Sequence, residues 1–200
     1  MSTGYPVPAG RGEAEIEKKK SRFIARAANV ASREEAMAFL ADARRDHPDA
    51  RHHCWAYLLG DPATATSAAM NDDGEPSGTA GKPILNVIQH KAIGDVMVVV
   101  IRYFGGVKLG AGGLVRAYAG ATEAVLSALR LHAHEARFRA RLTLDFAAEQ
   151  AVRHWAQQHG AGVDRVDYGQ QVTMVLSLPE TDTDELREFC GANGIVLASC

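Results

Sequence analysis

The sequence has few of the residues that staple or anchor a chain. Its three cysteines, Cys54, Cys190 and Cys200, are odd in number, far apart and without a CxxC pair, so no disulfide framework is expected. No run approaches the ~20 apolar residues needed to span a bilayer, the longest strongly apolar stretch being Val96–Ile101. The first residues are polar and rich in Pro and Gly, without the apolar core of a signal peptide. A reducing, cytoplasmic location and no membrane partner are the expectation. Charge of one sign is also scarce: a net charge of −2 over 200 residues excludes a bulk polyelectrolyte binder. There is no GxSxG elbow and no HExxH. Gly81-Lys82 runs into Pro83, and no glycine stands five positions earlier, which excludes a Walker A loop. Gly110–Val115 lacks the last glycine of a dinucleotide fingerprint.

What is present suffices for a real core. The chain allows one large domain or two small ones, and its 46% hydrophobic content needs no staples. Residues 1–12 read as a flexible lead. Strands are predicted at Glu13–Lys18 and Arg22–Val30, with Ile16, Phe23, Ile24 and Ala27 turned inward. Ser32 and Glu35 form a capping box ahead of Ala36, Phe39, Leu40 and Ala43 at helical spacing. His53–Leu59 reads as a strand, and Gly60 to Gly81 as about twenty residues of loop, a length usually functional or mobile. Pro83–Lys91 reads as a helix. Asp95–Phe104 lacks alternation and is predicted to be a central strand covered on both faces. Gly112–Leu131 reads as a long helix. The charged stretch His132–Arg137 reads as a linker, and the elements after it run βαββαβ, the ferredoxin-like plan. The predicted domains are therefore 13–133 and 138–200.

Charge is uneven along this plan. Lys82, Lys91, Arg102, Lys108, Arg116 and Arg130 face only Asp95 and Glu123 between residues 82 and 130. Residues 137–200 hold six Arg against nine Asp and Glu. An anionic partner would meet the first domain. Its strongest candidate is Ile101–Arg116, where five glycines, Gly105, Gly106, Gly110, Gly112 and Gly113, lie between a buried strand and a helix start. Glycines and a helix N-terminus expose N–H donors, and Lys108 and Arg116 add charge, as a phosphate or carboxylate site requires. The same glycines would equally serve tight strand–helix packing or an irregular turn.

Two further constellations stand out. Asp49–Tyr57 places Arg51, His52 and His53 beside Trp55 and Tyr57, a combination suited to phosphate contact and base stacking, or to ordinary strand packing. Adjacent histidines on a strand face opposite ways, which argues against a shared metal. Cys54 diverges from His53 for the same reason. In Asn71–Pro83, Asp72, Asp73 and Glu75 form a solvated turn, a partner-contact loop or, in a third reading, an oxygen-ligand site for Mg²⁺ in a metal-dependent hydrolase.

Four blocks carry a family resemblance: Lys20–Phe23, Arg51–Ala56, Asp72–Pro83 and Arg102–Gly110. In this order they resemble the IMPACT family, in particular its bacterial YigZ type. The resemblance implies an α+β chain. Its first domain would have the ribosomal-protein/ribonuclease-PH-like fold. Its second would be ferredoxin-like, similar to a C-terminal domain of elongation factor G. Eukaryotic members are tied to translational regulation. The expectation is a non-enzymatic RNA- or ribosome-associated factor with no catalytic residue, cofactor or metal. Phosphates would be held by Arg51, Lys82, Lys108, Arg116 and the N–H groups of Gly105, Gly106, Gly110 and Gly112, with His52 and Tyr103 assisting. The alternatives are a protein-interaction module using Asp72, Asp73 and Glu75, and the hydrolase.

Overall fold

The computed structural model describes residues 4–134 and 137–199. Residues 1–3 of the predicted lead, residues 135–136 of the predicted linker, and Cys200 lie outside them. The chain is α+β and divides into two units, Tyr5–His134 and the part beyond it.

The first unit is built on a five-stranded antiparallel sheet. In chain order its strands are β2 (Gly12–Lys18), β3 (Ser21–Asn29), β4 (His52–Leu59), β5 (Ser67–Asn71) and β6 (Val96–Tyr103), and their order in space is β2-β3-β6-β4-β5. β6 is central, between β3 and β4. Its even-numbered residues Val96, Val98 and Val100 pack under helices α2 (Gly81–Lys91) and α3 (Ala111–Ala128). Its odd-numbered residues Met97, Val99 and Ile101 pack under α1 (Arg33–Asp46). Both faces are covered, which explains the unbroken apolar run. α1 starts as its capping residues dictate. Ser32 Oγ accepts from the Glu35 N–H at 3.2 Å, while the Glu35 carboxylate accepts from the Ala31 N–H at 2.8 Å, one residue earlier than in the usual reciprocal box.

Two expectations change. The lead carries strand β1 (Pro6–Pro8), which pairs antiparallel with β7 (Leu131–Ala133); β7 takes the last residue of the predicted long helix, which ends at Ala128, and the first two of the predicted linker. Neither segment shows a strand pattern, because each is three residues long and is held by contacts distant in sequence. Tyr5 donates to the Asp95 carboxylate at 2.6 Å and stacks on His134 at 4.6 Å between ring centres. The other oxygen of Asp95 accepts from the Gly60 N–H at 2.8 Å, so one side chain ties the clasp to the end of β4. Burial and the adjacent carboxylate push the Tyr5 hydroxyl well above the usual tyrosine range. The second change is β5, an edge strand within the predicted loop, mostly exposed and therefore without a hydrophobic signature.

The second unit holds β8 (Arg137–Leu144), α4 (Glu149–Gln158), β9 (Gly162–Tyr168), β10 (Val172–Pro179), α5 (Thr183–Ala192) and β11 (Val196–Ser199). Its sheet order is β11-β8-β10-β9. Strict alternation along β10 turns Val172, Met174, Leu176 and Leu178 onto Val152, Trp155 and Leu186 of the helices.

The clasp predicts that Tyr5→Phe lowers the unfolding free energy by about 1.5–3 kcal/mol, the range for a hydrogen bond to a charged group. Urea denaturation of the full chain measures it, and an unchanged midpoint would show that Asp95 holds β4 without Tyr5.

Candidate functional site

The site begins with the parity of β6. Arg102 follows Val98 and Val100 onto the α2/α3 side, where it is only 6% exposed. A guanidinium cannot sit there uncompensated. Glu75 supplies the counter-charge: its Oε1 accepts from Arg102 Nη1 at 2.5 Å and from the Tyr118 hydroxyl of α3 at 2.8 Å. The guanidinium carbon lies 5.5 Å from the ring centre of Phe23 and 5.5 Å from that of Phe104. Arg102 Nε is buried without a hydrogen-bond partner. Cys54 extends the network, with Sγ 3.3 Å from the Tyr118 hydroxyl and 2.9 Å from the Asp72 carbonyl. Burial, aided by nearby carboxylates and only partly offset by the Tyr118 contact, pushes the Cys54 thiol up to about 12, so it is not a nucleophile near neutral pH.

Arg102 lines a cleft of about 380 Å³. Arg51 and His52, at the start of β4, also line it, as do Phe104, Lys108 and the start of α3 at Gly110 and Ala111. The N-terminus of α3 is open. Gly110, at the cap, has no side chain to offer, and the first turn carries no acid. His52 is fixed by its Nδ1–H, which donates to the Asp73 carbonyl at 2.8 Å.

Of the residues the sequence singled out, the cleft brings together Arg51, His52, Lys108 and Gly110, and Glu75 of the acidic loop also lines it. It does not bring Tyr103, whose odd parity carries it to the α1 side, where its hydroxyl meets His47 Nδ1 at 2.9 Å. Lys82 lines a separate groove between α2 and α3. Arg116 is exposed one turn further along α3, beside Gly112, and neither residue lines the cleft. Arg102 and Phe104 were missed as contact residues. Their signal was available: a charge interrupting a buried run, followed by an aromatic at the strand end.

The glycines differ in their reasons. Gly105 packs against the β2–β3 turn, where an added Cβ would fall 2.0 Å from the Lys20 carbonyl. Gly106 and Gly110 have φ of +84° and +74° with open space around them.

The acidic loop is turned inward. Asp72 caps α2 from nine residues away: Oδ1 accepts from the N–H of Ala80 at 3.0 Å and of Gly81 at 2.8 Å, and Oδ2 from Gly78 at 2.8 Å. Partial burial pushes its carboxyl up, but these three bonds outweigh it and hold the group below the usual range. Asp73 accepts from the His53 N–H at 2.7 Å and from Arg44 at 3.1 Å. Burial lowers the His53 pKa despite the nearby Asp73 carboxylate. The carboxylates that a hydrolase or a partner would use are thus engaged within the protein, and no group of three metal-ligating side chains forms among the described residues.

Two predictions follow from these contacts. Gly105→Ala costs about 3 kcal/mol, because a backbone carbonyl cannot give way, and Gly110→Ala costs about 1–3 kcal/mol without any clash, because its φ of +74° and ψ of +166° lie in a region essentially reserved to glycine; urea titration of both variants measures each cost. Asp72→Asn costs about 1.5–3 kcal/mol at neutral pH. Because the folded-state pKa of Asp72 is depressed, the deficit is complete above about pH 4 and shrinks as pH falls through that depressed value. Parallel denaturation of wild type and variant from neutral to acid pH reads this convergence.

Comparison with known proteins places the chain. The model of the Impact N-terminal domain matches residues 19–126, and that of a domain of unknown function, DUF1949, matches residues 142–189. An IMPACT family member from Haemophilus influenzae is 36% identical over 176 residues, covering 88% of this chain and 85% of that protein. The IMPACT family member YigZ of Escherichia coli is 46% identical over 123 residues, 62% of this chain and 60% of that protein. A crystal structure described as a hypothetical protein is 31% identical with a TM-score of 0.82, covering 100% of this chain and 98% of that one. With the Arg102–Gly110 block forming the edge of the cleft and the family model spanning more than half the sequence, the chain belongs to the IMPACT family.

Proposed function

We propose that this protein is a non-enzymatic RNA- or ribosome-associated factor in translational regulation, which contacts phosphates through the cleft at the start of α3. The observation that carries the reading is the convergence of Arg51, Arg102 and Lys108 on one uncapped helix N-terminus beside the exposed ring of Phe104. Cationic groups with an adjacent aromatic suit a nucleic acid, and an overall charge of −2 confines the attraction to such a patch. The tie of the family's eukaryotic members to translation supplies the context. A cytoplasmic location goes with this reading.

The same proposal extends to the folds. A βαββαβ order with strands arranged β11-β8-β10-β9 supports a ferredoxin-like second domain. The five-stranded sheet with helices on both faces supports the ribosomal-protein/ribonuclease-PH-like assignment for the first. Fold alone is a weak guide to function, and the cleft carries the argument. The loop at 71–82 offers a protein partner less to read, because Asp72, Asp73 and Glu75 are turned to internal donors.

Filter binding of ribosomal and transfer RNA across a salt series tests the reading. Retention at low salt should fall as salt rises, through counterion release. Arg51→Ala and Lys108→Ala each should weaken binding and lower the salt slope by about 1. Absence of retention at low salt overturns it.

A further inference from the structure

Resting on the reading of the cleft as a phosphate site, we infer that it takes a terminal phosphate, a phosphomonoester at a nucleotide or RNA end, with the adjoining base on Phe104. An internal phosphodiester of a passing strand fits it less well.

The first argument is an unmet donor. Arg102 is 94% buried at the floor of the cleft, and its Nε lacks a partner although Nη1 is paired with Glu75. A buried, unpaired donor on a charged group is costly, and native proteins rarely keep one without a reason. A phosphate oxygen would satisfy it. Phe104 covers that guanidinium from the solvent side and is 51% exposed, so its ring can be displaced by an incoming phosphate and then offer its face to a base. Phe23 backs the guanidinium from within and is fully buried, which fixes the floor.

The second argument is charge. Arg51, Arg102 and Lys108 against Glu75 leave two positive charges on the cleft, and the positive end of α3 adds to them. A phosphomonoester carries about −1.5 to −2 with three acceptor oxygens at neutral pH. A diester carries one negative charge and presents two free oxygens. The third argument is access. A volume of about 380 Å³ is at the small end of ligand sites. A chain end can enter such a cleft directly, whereas an internal link must carry strand in and out over the same buried floor.

The test uses the full chain and one ten-nucleotide RNA sequence in three forms: with a 5′-phosphate, with a 3′-phosphate, and with hydroxyls at both ends. Fluorescence anisotropy reads RNA binding, and calorimetry reads adenosine monophosphate against adenosine. A phosphorylated end should bind about tenfold tighter or more than the hydroxyl form, as one or two charge-assisted hydrogen bonds imply. The two phosphorylated forms show which end is taken, and adenosine monophosphate should bind where adenosine does not. Phe104→Ala, Arg51→Ala and Lys108→Ala alter exposed residues and should fold, as circular dichroism will verify, yet each should reduce the preference for the phosphorylated end. Equal affinity for all three RNA forms overturns this inference and leaves the RNA reading standing. Binding of adenosine monophosphate with no RNA binding keeps the terminal-phosphate site and removes the RNA reading. No binding by any probe removes both.

Discussion

The ion pair between Arg102 and Glu75 governs the first unit. Two buried charges lose several kcal/mol each in desolvation, and their mutual attraction need not exceed that loss, so the pair is a poor source of stability. Its effect is to fix positions. Arg102 belongs to the central strand and Glu75 to the loop ahead of α2, and Glu75 also holds Tyr118 of the long helix. Neither charge can leave without stranding the other in an apolar surrounding, so strand, loop and helix are locked in one arrangement. The wall and floor of the cleft are consequences of that lock.

Charge is distributed along the same lines. The chain is slightly acidic, yet the acidic loop of its first unit contributes little outward field. Asp72 satisfies the free N–H groups of α2, a helix with no side-chain cap of its own, and Asp73 joins the loop to β4 and α1. With those carboxylates internally matched, Arg51 and Lys108 remain on the surface at the open end of α3. An almost neutral chain thereby gathers a small cluster of cationic side chains at one end of α3.

The periodic elements were legible in the sequence because their cause is local. Ser32 and Glu35 announce α1, and the unbroken run at Val96–Ile101 announces a strand covered twice. The glycine-rich segment was visible, but its internal division was not. Gly105 is required by a carbonyl more than eighty residues earlier in the chain, a contact that no local pattern carries. The sequence offers Asp72 as a turn, partner-contact or metal-site residue and not as a cap, because its role as a remote cap depends on how the loop closes on α2. Arg102 and Tyr103 are the instructive pair. Counting parity along β6 would have assigned them to opposite faces, placing the arginine beside the long helix and removing the tyrosine from the site. The short strands β1 and β7 lay below any periodic signal.

Those two short strands carry a consequence of their own. They bring the point where the chain enters the first unit next to the point where it leaves, with Pro6 opposite Ala133 and the Tyr5 ring lying on His134. A pull on the two ends of this unit would therefore load the β1–β7 ladder from its open end, one rung at a time, instead of shearing all its bonds together. Under tension the clasp would peel first, while the sheet and the buried Arg102–Glu75 pair behind it bore no load until it had opened.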